Sequence, residues 1–452
     1  MIDTTILDGD LVDLAERLRR SEVSPSEAVA AALARIEADG RAFVAVEADR
    51  AIAEAKRLSA LAPGERGSLA GAPYARKDVY GRAGSALGAG SPLRAQAIAE
   101  VTAPVLSRLD EAGGVDLGRL QMAEFALSPT GLNAHTSHPE NPWNPAYPPG
   151  GSSSGSGIAV ARGQVSFALG SDTGGSIRFP SGMCGLTGIK PTNGLVSTDG
   201  CFPLAWTLDC MGPLARSARD CALLLPIMAG AGLAADAPGS VLGGDLRGIT
   251  LAVPEGHYAE GLASEVMENL AATIEVLRGR GAHVIKTASP DMDIVQIMSG
   301  IVMAVEAASV LGSYIREHPD QVGPQVHKRV EPGFHFAATS YAEAIHGRPA
   351  LAAEWIKMVM DGADAAILPL LPSTVPTTAS TLEQASEATG MLTRFTRNLN
   401  YLGLPSVSIP TGFDANGLPM AVQLVGRPLT DMALLGIAEG FQRDTTFHCR
   451  RP

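Results

Sequence analysis

The chain has 452 residues, 46% of them hydrophobic, and a formal net charge of −12 at pH 7. A chain of this length buries about three quarters of the surface that its unfolded form exposes, so it needs no disulfide or metal to fold. The negative net charge leaves no extended basic surface for a phosphate backbone, which excludes direct nucleic-acid binding from the expected functions. Small neutral or cationic ligands are the expected partners.

The sequence carries no recognisable targeting or membrane segment. The opening residues, "MIDTTILDGD", are acidic and lack an apolar core, and the apolar stretch 221–235 is short for a membrane span and contains Pro226. We therefore expect a soluble, cytoplasmic protein with no membrane partner. The cysteine count is odd, with no CxxC pair and no histidine at zinc-ligand spacing, so we expect reduced cysteines in the interior and no metal. The cysteines are Cys184, Cys201, Cys210, Cys221 and Cys449.

The pattern of elements predicts an α/β fold. Ser24, Pro25 and Glu27 form a helix-start signal, and apolar residues then follow at helical spacing up to Gly40. From residue 248 onward, a strand, a helix and a second strand predict a parallel βαβ unit. We expect one large, mostly parallel or mixed sheet covered by helices on both faces. The Gly/Ala-rich segment 229–245 is predicted to be a surface connection.

Two glycine- and serine-rich turns lie close together in the middle of the chain. "PPGGSSSGSG" precedes a predicted helix at about 153–162, and "GSDTGGSIRFPSG" follows a predicted strand at 165–170 and precedes a helix near Ile177. Each turn therefore delivers serines to the amino terminus of a helix. There, unpaired N–H groups and the helix dipole favour a negative charge that develops nearby. This environment suits a serine nucleophile.

One candidate arrangement is the nucleophile elbow of an α/β-hydrolase. "GSSSG" fits the G-x-S-x-G pattern with Ser153 as nucleophile and a downstream histidine as base. The available histidines include His257, His283 and His346, and the sequence singles out none of them. The proline-rich segment before the elbow also cannot form the central strand that this arrangement needs.

A second candidate base lies upstream in "GAPYARKDVYG". On a strand over 74–80, Lys77 would share one face with Ala75 and Val79, while Tyr74 and Arg76 would point to the other. Among small apolar neighbours, desolvation would lower the pKa of the lysine toward the range in which a neutral amine acts as a base.

The motifs "GAPYARKD", "GGSSSGSG", "GSDTGGSIRFPSGMCGLTGIKPT" and "WTLDCMGPLARSARDCALLL" resemble, in this order and at these separations, the amidase signature family of serine hydrolases. The outer segments "LQMAEFA", "NPWNP" and "LGLPSVSIPTGFDANGLPMAVQLVGRP" resemble it too, so the resemblance covers nearly the whole chain. It implies a single domain over 1–452, with the core motifs at about 70–225. The chain departs from the usual family residues at Ser154, Ile158, Asn193 and Leu195.

The resemblance implies a Ser–Ser–Lys triad with Ser176 as nucleophile, Lys77 as base, and Ser152, after a cis peptide bond, as the bridging hydroxyl. It implies an oxyanion hole made of the backbone N–H groups of Thr173, Gly174, Gly175 and Ser176. Three further residues would hold the triad in place: Ser153, Asp172 and Arg178. No cofactor or metal is expected, and a homodimer is one expected assembly because many members form dimers.

The family resemblance implies hydrolysis of amide or carbamate (urethane) C–N bonds, and of aryl esters, through an acyl-enzyme intermediate. We expect uncharged, partly aromatic substrates in a broad apolar pocket. The candidate lining residues are Met122, Phe202, Leu204 and Trp206. Two alternatives stay open: the A subunit of a glutamyl-tRNA amidotransferase, which binds glutamine through arginine and aspartate, and a non-catalytic amidase-like binding subunit.

Overall fold

The computed structural model describes residues 2–136, 138–230 and 245–452 of the chain. Within these ranges, eleven strands form one continuous sheet. In chain order they are β1 (Phe43–Val46), β2 (Pro73–Lys77), β3 (Val115–Leu120), β4 (Phe167–Asp172), β5 (Thr187–Lys190), β6 (Cys210–Ala215), β7 (Thr250–Pro254), β8 (His283–Thr287), β9 (Ala365–Pro369), β10 (Ser406–Phe413) and β11 (Pro419–Val425). The predicted surface connection 229–245 lies almost wholly outside the described residues.

The same ranges contain fifteen α-helices. They are α1 (Leu11–Arg19), α2 (Pro25–Ala38), α3 (Ala48–Ser59), α4 (Pro104–Glu111), α5 (Ser154–Ala161), α6 (Arg178–Cys184), α7 (Ala218–Ala229), α8 (Ser264–Gly279), α9 (Met292–Glu317), α10 (Pro324–Val330), α11 (Ala338–Val359), α12 (Thr378–Glu383), α13 (Ala385–Thr393), α14 (Arg397–Leu402) and α15 (Asp431–Arg443). The predicted capping signal of α2 is present: the Ser24 and Glu27 side chains each accept from the other's backbone N–H.

The sheet is mixed, with the strand order β1-β3-β2-β4-β6-β5-β10-β11-β9-β7-β8. Strand β2 pairs in parallel with β3 and β4, and β7 pairs in parallel with β8 and β9. The other neighbouring pairs are antiparallel. The predicted βαβ unit is β7–α8–β8, and the predicted α/β fold with a large mixed sheet is confirmed.

Both faces of the sheet are covered, as β10 and β11 illustrate. Val407 and Val422 lie in the main apolar core, whereas Ser408 and its opposite partner Gln423 are equally buried toward the side of α6. Because successive strand residues point to opposite faces, burial of both sets requires packing on both sides. The α6 side carries polar groups, and the candidate site lies on that side.

Helix α9 is long and apolar enough, by length and composition alone, to cross a membrane. Half of its most apolar window is buried inside the protein, and it packs against α10, α11 and α14. A core helix of a globular fold has this character, and α9 contributes Val302, Ala307 and Leu311 to the apolar core.

The five cysteines are all unpaired thiols. The prediction that they fill the interior holds for Cys184, Cys210 and Cys221, which are buried, whereas Cys201 is half-buried and Cys449 is exposed near the carboxyl end.

Candidate active site

Two parallel strands carry the predicted site residues to one edge of the sheet. Strand β2 ends at Lys77 and β4 ends at Asp172, and the two strands pair in parallel with Arg76 opposite Leu169. The carboxyl ends of neighbouring parallel strands lie together, and this is where open α/β sheets place their ligand sites. The loop that follows β4 carries Ser176 into α6 at the same edge.

Lys77 is completely buried, and hydroxyl groups surround its amine. Nζ lies 2.6 Å from Ser152 Oγ and 2.8 Å from Ser171 Oγ. Burial lowers the pKa of Lys77 to about 7, although the charges of Asp209 and Asp172 oppose this shift. A substantial fraction of the amine is therefore neutral at physiological pH and able to accept a proton.

The strand that carries Lys77 is shorter than predicted. The expected strand over 74–80 ends at Lys77, because the Val79 and Tyr80 N–H groups turn back to donate to the Lys77 carbonyl. The predicted alternation holds up to that point: Arg76 pairs with Asp116 on the opposite side of the strand from the Lys77 amine.

Ser152 links Lys77 to the first serine-rich turn. The Gly151–Ser152 peptide bond is cis, as the resemblance implies. Ser152 is fully buried, and its carbonyl accepts from the Ala123 N–H at 3.0 Å. The bridging serine is thus fixed by its backbone while its hydroxyl contacts the lysine.

Ser176 faces a cavity. It is 7% exposed and contributes to the cavity wall, whereas Ser152 and Lys77 lie behind it with no exposed surface. Among the described residues, the Ser152 hydroxyl is hydrogen-bonded to Lys77 Nζ but not to the Ser176 hydroxyl. Catalytic hydrogen bonds are often long before substrate binds and tighten in the complex.

The backbone of the Ser176 loop is organised by Asp172. The carboxylate accepts the Gly175 N–H at 2.7 Å and two more N–H groups at the start of α6. This differs from the prediction for the oxyanion hole, because the Gly175 donor is already used. The N–H groups of the other three predicted donors, Thr173, Gly174 and Ser176, donate to no group in the described part of the chain, so they remain available to a substrate oxygen.

Asp172 and Arg178 form an ion pair at 3.0 Å in which both side chains are fully buried. Burial alone would raise the pKa of Asp172, but the Arg178 charge and hydrogen bonds hold it well below its usual range. Arg178 also donates to Asn400 Oδ1 at 2.6 Å and Gln423 Oε1 at 3.1 Å. These two amides were not predicted; the one available signal is a glutamine within the apolar strand "MAVQLV".

Ser153 is hydrogen-bonded to the backbone at the end of β4 and is not placed to act as a nucleophile. It is fully buried, its hydroxyl donates to the Ser171 carbonyl at 3.3 Å, and the Ser171 N–H donates back at 3.4 Å. The histidines that the elbow arrangement would need lie elsewhere: His283 and His346 are exposed, and the ring of His257 packs edge-on against Tyr258 and Phe395. Ser153 ties the end of β4 to the start of α5.

Asp209 is a further buried group near Lys77 that sequence reasoning missed. It accepts from Thr173 Oγ1 at 2.5 Å and from the N–H groups of Leu204 and Ala205. Burial raises its pKa to about 6. It therefore connects the Ser176 loop, the cavity wall at Leu204 and the electrostatic surroundings of Lys77.

The cavity in front of Ser176 has a volume of about 180 Å³. The lining residues are Ala126, Leu127, Ser128, Pro129, Thr173, Gly174, Ser176, Phe179, Leu204, Gly300, Met303, Ala304, Ala307, Arg329, Thr389, Thr393 and Arg397. Of the four predicted lining residues, Leu204 alone is in this wall. Met122 is buried but does not line the cavity, Phe202 packs against Phe125, and Trp206 is 50% exposed at the surface.

The cavity also differs in character from the predicted uncharged, apolar pocket. Two arginines line it, Arg329 and Arg397, together with Thr389 and Thr393. These groups come from chain segments that carry none of the predicted site residues.

Comparison with known proteins identifies the family of this chain. The family model described as Amidase matches residues 27–435. The chain belongs to the amidase family. This confirms the resemblance to amidase signature enzymes, whose activity is on amide C–N bonds.

Two kinds of protein are similar to this chain: A subunits of glutamyl-tRNA(Gln) amidotransferases and proteins described as amidases. The A subunit of the glutamyl-tRNA(Gln) amidotransferase of Roseiflexus sp. (strain RS-1) is 34% identical, over 98% of this chain and 97% of that protein. A crystal structure described as an amidase is 30% identical and covers 96% of this chain and 100% of its own, with a TM-score of 0.87. The corresponding A subunit of Thermotoga maritima is 28% identical, with coverages of 100% and 98% and a TM-score of 0.80.

Proposed function

We propose that this protein hydrolyses the C–N bond of a small amide through an acyl-enzyme on Ser176. The observation that carries the proposal is the buried contact between Lys77 Nζ and Ser152 Oγ, 2.6 Å long, behind a serine that faces a cavity. A lysine whose pKa is lowered to about 7 by burial is suited to accept a proton and return it within one turnover.

In the first step, Ser176 Oγ bonds to the amide carbon as its proton passes to Ser152, whose own proton passes to neutral Lys77. The carbonyl oxygen becomes an oxyanion, and the N–H groups of Gly174 and Ser176 are available to stabilise it.

In the second step, the C–N bond breaks and the nitrogen takes a proton from Ser152, which Lys77 replaces. An amine leaves poorly unless it is protonated, so a relay that returns the proton suits an amide. Water then attacks the acyl-enzyme by the same relay, releasing the acid and restoring Ser176.

The volume of the cavity favours a compact substrate. At about 180 Å³ it is slightly larger than a cavity of roughly 150 Å³ that holds benzene. Large aryl carbamates would need additional space at the mouth of the cavity, so we propose small amides ahead of urethanes as substrates.

A second candidate is the catalytic subunit of an amidotransferase, in which the ammonia released is passed to a partner. Identity of 31–35% to several amidotransferase A subunits, over nearly the whole chain, favours this candidate. The chemistry at Ser176 is common to both candidates, and they differ in the ammonia acceptor and in the need for partner subunits.

The test is ammonia or amine release by the purified chain, without added partners, from small primary amides, a 4-nitroanilide and the matching N-aryl carbamate. The Ser176→Ala variant is the comparison, and Ser197→Ala, outside the site, is the control. We expect turnover to fall at least about 10³-fold in Ser176→Ala and to stay unchanged in the control. Equal activity in both variants would exclude Ser176 as nucleophile.

The same assay separates a free-standing hydrolase from a component of an amidotransferase. Amide cleavage by the isolated chain supports the hydrolase. Cleavage of glutamine alone, and only when amidotransferase partner subunits are added, would support the second candidate instead.

A further inference from the structure

The far wall of the cavity is built from helices rather than from the sheet. Arg329 lies near the end of α10, and Arg397 begins α14; α9 and α13 complete the wall with Gly300, Met303 and Thr389. Both arginines are half-buried and contribute to the cavity wall.

Neither arginine has an acidic partner among the described residues. Arg329 donates to Thr389 Oγ1, and Arg397 donates to Ser299 Oγ at 3.2 Å and to the Gln296 carbonyl at 3.4 Å. Within the described ranges, no carboxylate lies within 4.0 Å of either guanidinium, and no lining residue of the cavity is acidic.

This arrangement is electrostatically unfavourable without a bound anion. Desolvation lowers the pKa of both arginines, and the charge of Arg397 further lowers that of Arg329, to about 10. Buried cations are normally paired, and two of them on one cavity wall repel each other. Elsewhere in the site the same chain pairs its buried arginine fully, as Arg178 with Asp172 shows.

The arginine wall is close to the reacting atoms. The Arg397 stem lies against Gly174, where an added Cβ would be 3.5 Å from its Cβ and Cγ. The next residue back, Thr396, donates its hydroxyl to the Gly174 carbonyl at 2.7 Å. Arg397 and Ser176 line the same cavity, so a ligand bound there by Arg397 would occupy the space that Ser176 faces.

We propose that the substrate carries a carboxylate, bound by Arg329 and Arg397, and no ammonium group near it. This inference rests on the proposed amide hydrolysis at Ser176 and names the class of amide. It replaces the expectation of a neutral or cationic ligand, because guanidinium groups recognise carboxylates by charge-assisted hydrogen bonds. An α-amino acid with a side-chain amide, such as glutamine, would bring an ammonium group into this cavity. The described lining contains two arginines and no acidic residue to pair with it.

The test compares matched amides that differ only in charge. Malonamate, succinamate and glutaramate carry one carboxylate; malonamide, succinamide and glutaramide are their neutral diamides; and glutamine is glutaramate with an added ammonium. For at least one chain length, we expect kcat/KM for the carboxylate to exceed that of its diamide by about 10-fold or more. Glutamine should be a poorer substrate than glutaramate.

The arginine variants decide whether this preference comes from the proposed wall. Arg397→Met and Arg329→Met should each reduce the preference for carboxylate over diamide about 10-fold or more, mainly through KM. Arg397→Lys should retain part of it. Arg394→Met is the matched control: Arg394 is in the same segment, but it stacks on Phe395, does not line the cavity and should not affect the preference.

Failure of this inference is distinguishable from failure of the proposed function. If diamides are cleaved as well as carboxylates, or if the preference survives both arginine variants, the anion site is wrong and amide hydrolysis stands. If no amide is cleaved, calorimetric titration of Ser176→Ala with malonate, succinate and glutarate decides. Binding that Arg397→Met abolishes supports the anion site, and absence of binding overturns it.

Discussion

The two sides of the cavity treat buried charge in opposite ways. On the sheet side, Arg178 meets Asp172, Asn400 and Gln423, so every part of the guanidinium has a partner. On the helical side, Arg329 and Arg397 contact only hydroxyl and carbonyl oxygens among the described residues. The protein thus pairs the buried arginine beside the candidate active site with a carboxylate, whereas the two arginines that line the cavity have no acidic partner in the described part of the chain.

This difference distinguishes a charge that fixes the protein's own side chains in place from charges that are available to a ligand. A fully paired buried ion pair is rigid, because loss of either partner leaves an isolated charge. An unpaired cation at a cavity wall is an attraction for a ligand and tolerates replacement better. The two walls should therefore respond differently to substitution.

Removal of the lysine amine should have the largest effect. Lys77→Met keeps most of the side-chain volume but removes the proton acceptor, so kcat should fall about 10²–10⁴-fold. Steady-state kinetics on the best amide measure this, with the exposed Lys286→Met as control. Ester substrates should lose less than amides, since an alkoxide leaves without being protonated; an equal loss on both would contradict a role in leaving-group protonation.

Breaking the buried pair should mainly affect stability. Arg178→Met leaves the Asp172 carboxylate buried without its cation, which should lower the free energy of unfolding by about 3–5 kcal/mol. Chemical denaturation measures it, and Arg247→Met, in the exposed pair with Asp245, should leave the midpoint unchanged. Since the folded-state pKa of Asp172 is depressed, the pair's contribution is present above the ordinary carboxyl pKa and is lost as pH falls below it.

The pH dependence of the parent enzyme should report Lys77. Only the neutral amine accepts a proton, so kcat/KM should rise about tenfold per pH unit below 7 and level off above it. The measurement is kcat/KM between pH 5 and 9. A profile that falls with increasing pH through 7 would mean that the charged amine is the active form.

Asp209→Asn should shift that profile without removing activity. The Asp209 charge raises the pKa of Lys77, so its loss should move the rising limb to lower pH by up to about one unit. The change keeps an acceptor for Thr173 but removes the oxygen that accepts from the Leu204 and Ala205 N–H groups, so some loss of rate at every pH is expected as well. A purely structural role would give that loss alone and leave the limb in place.

The smallest effects should come from the apolar positions. Leu204 lines the cavity, and Leu204→Ala should raise KM several-fold. Trp206 was predicted to line it but is half exposed, so Trp206→Ala should change kcat/KM less than about twofold. A large KM effect at Trp206 would mean that the substrate extends beyond the cavity.

The sheet side of the site could be predicted from the sequence to a large extent. The glycine turns, the small residues around Ser176 and the lysine between small apolar residues on one face of a strand are local features, and each is visible within a few residues of sequence. The family resemblance assigned Ser152, Ser176 and Lys77, and the structure brings Lys77 and Ser152 into contact. The predicted strand over 74–80 ran beyond its observed end at Lys77, because periodicity does not show where a backbone turns.

The helical side was decided by tertiary structure alone. Arg329 and Arg397 lie in short helices, and nothing in the neighbouring sequence indicates that these arginines are withdrawn from solvent. Whether such a side chain is paired, exposed or turned into a cavity depends on which helices pack over the sheet. Local pattern thus indicated the proposed chemistry, whereas long-range packing placed two arginines in the cavity wall, because burial and desolvation are properties of the assembled fold.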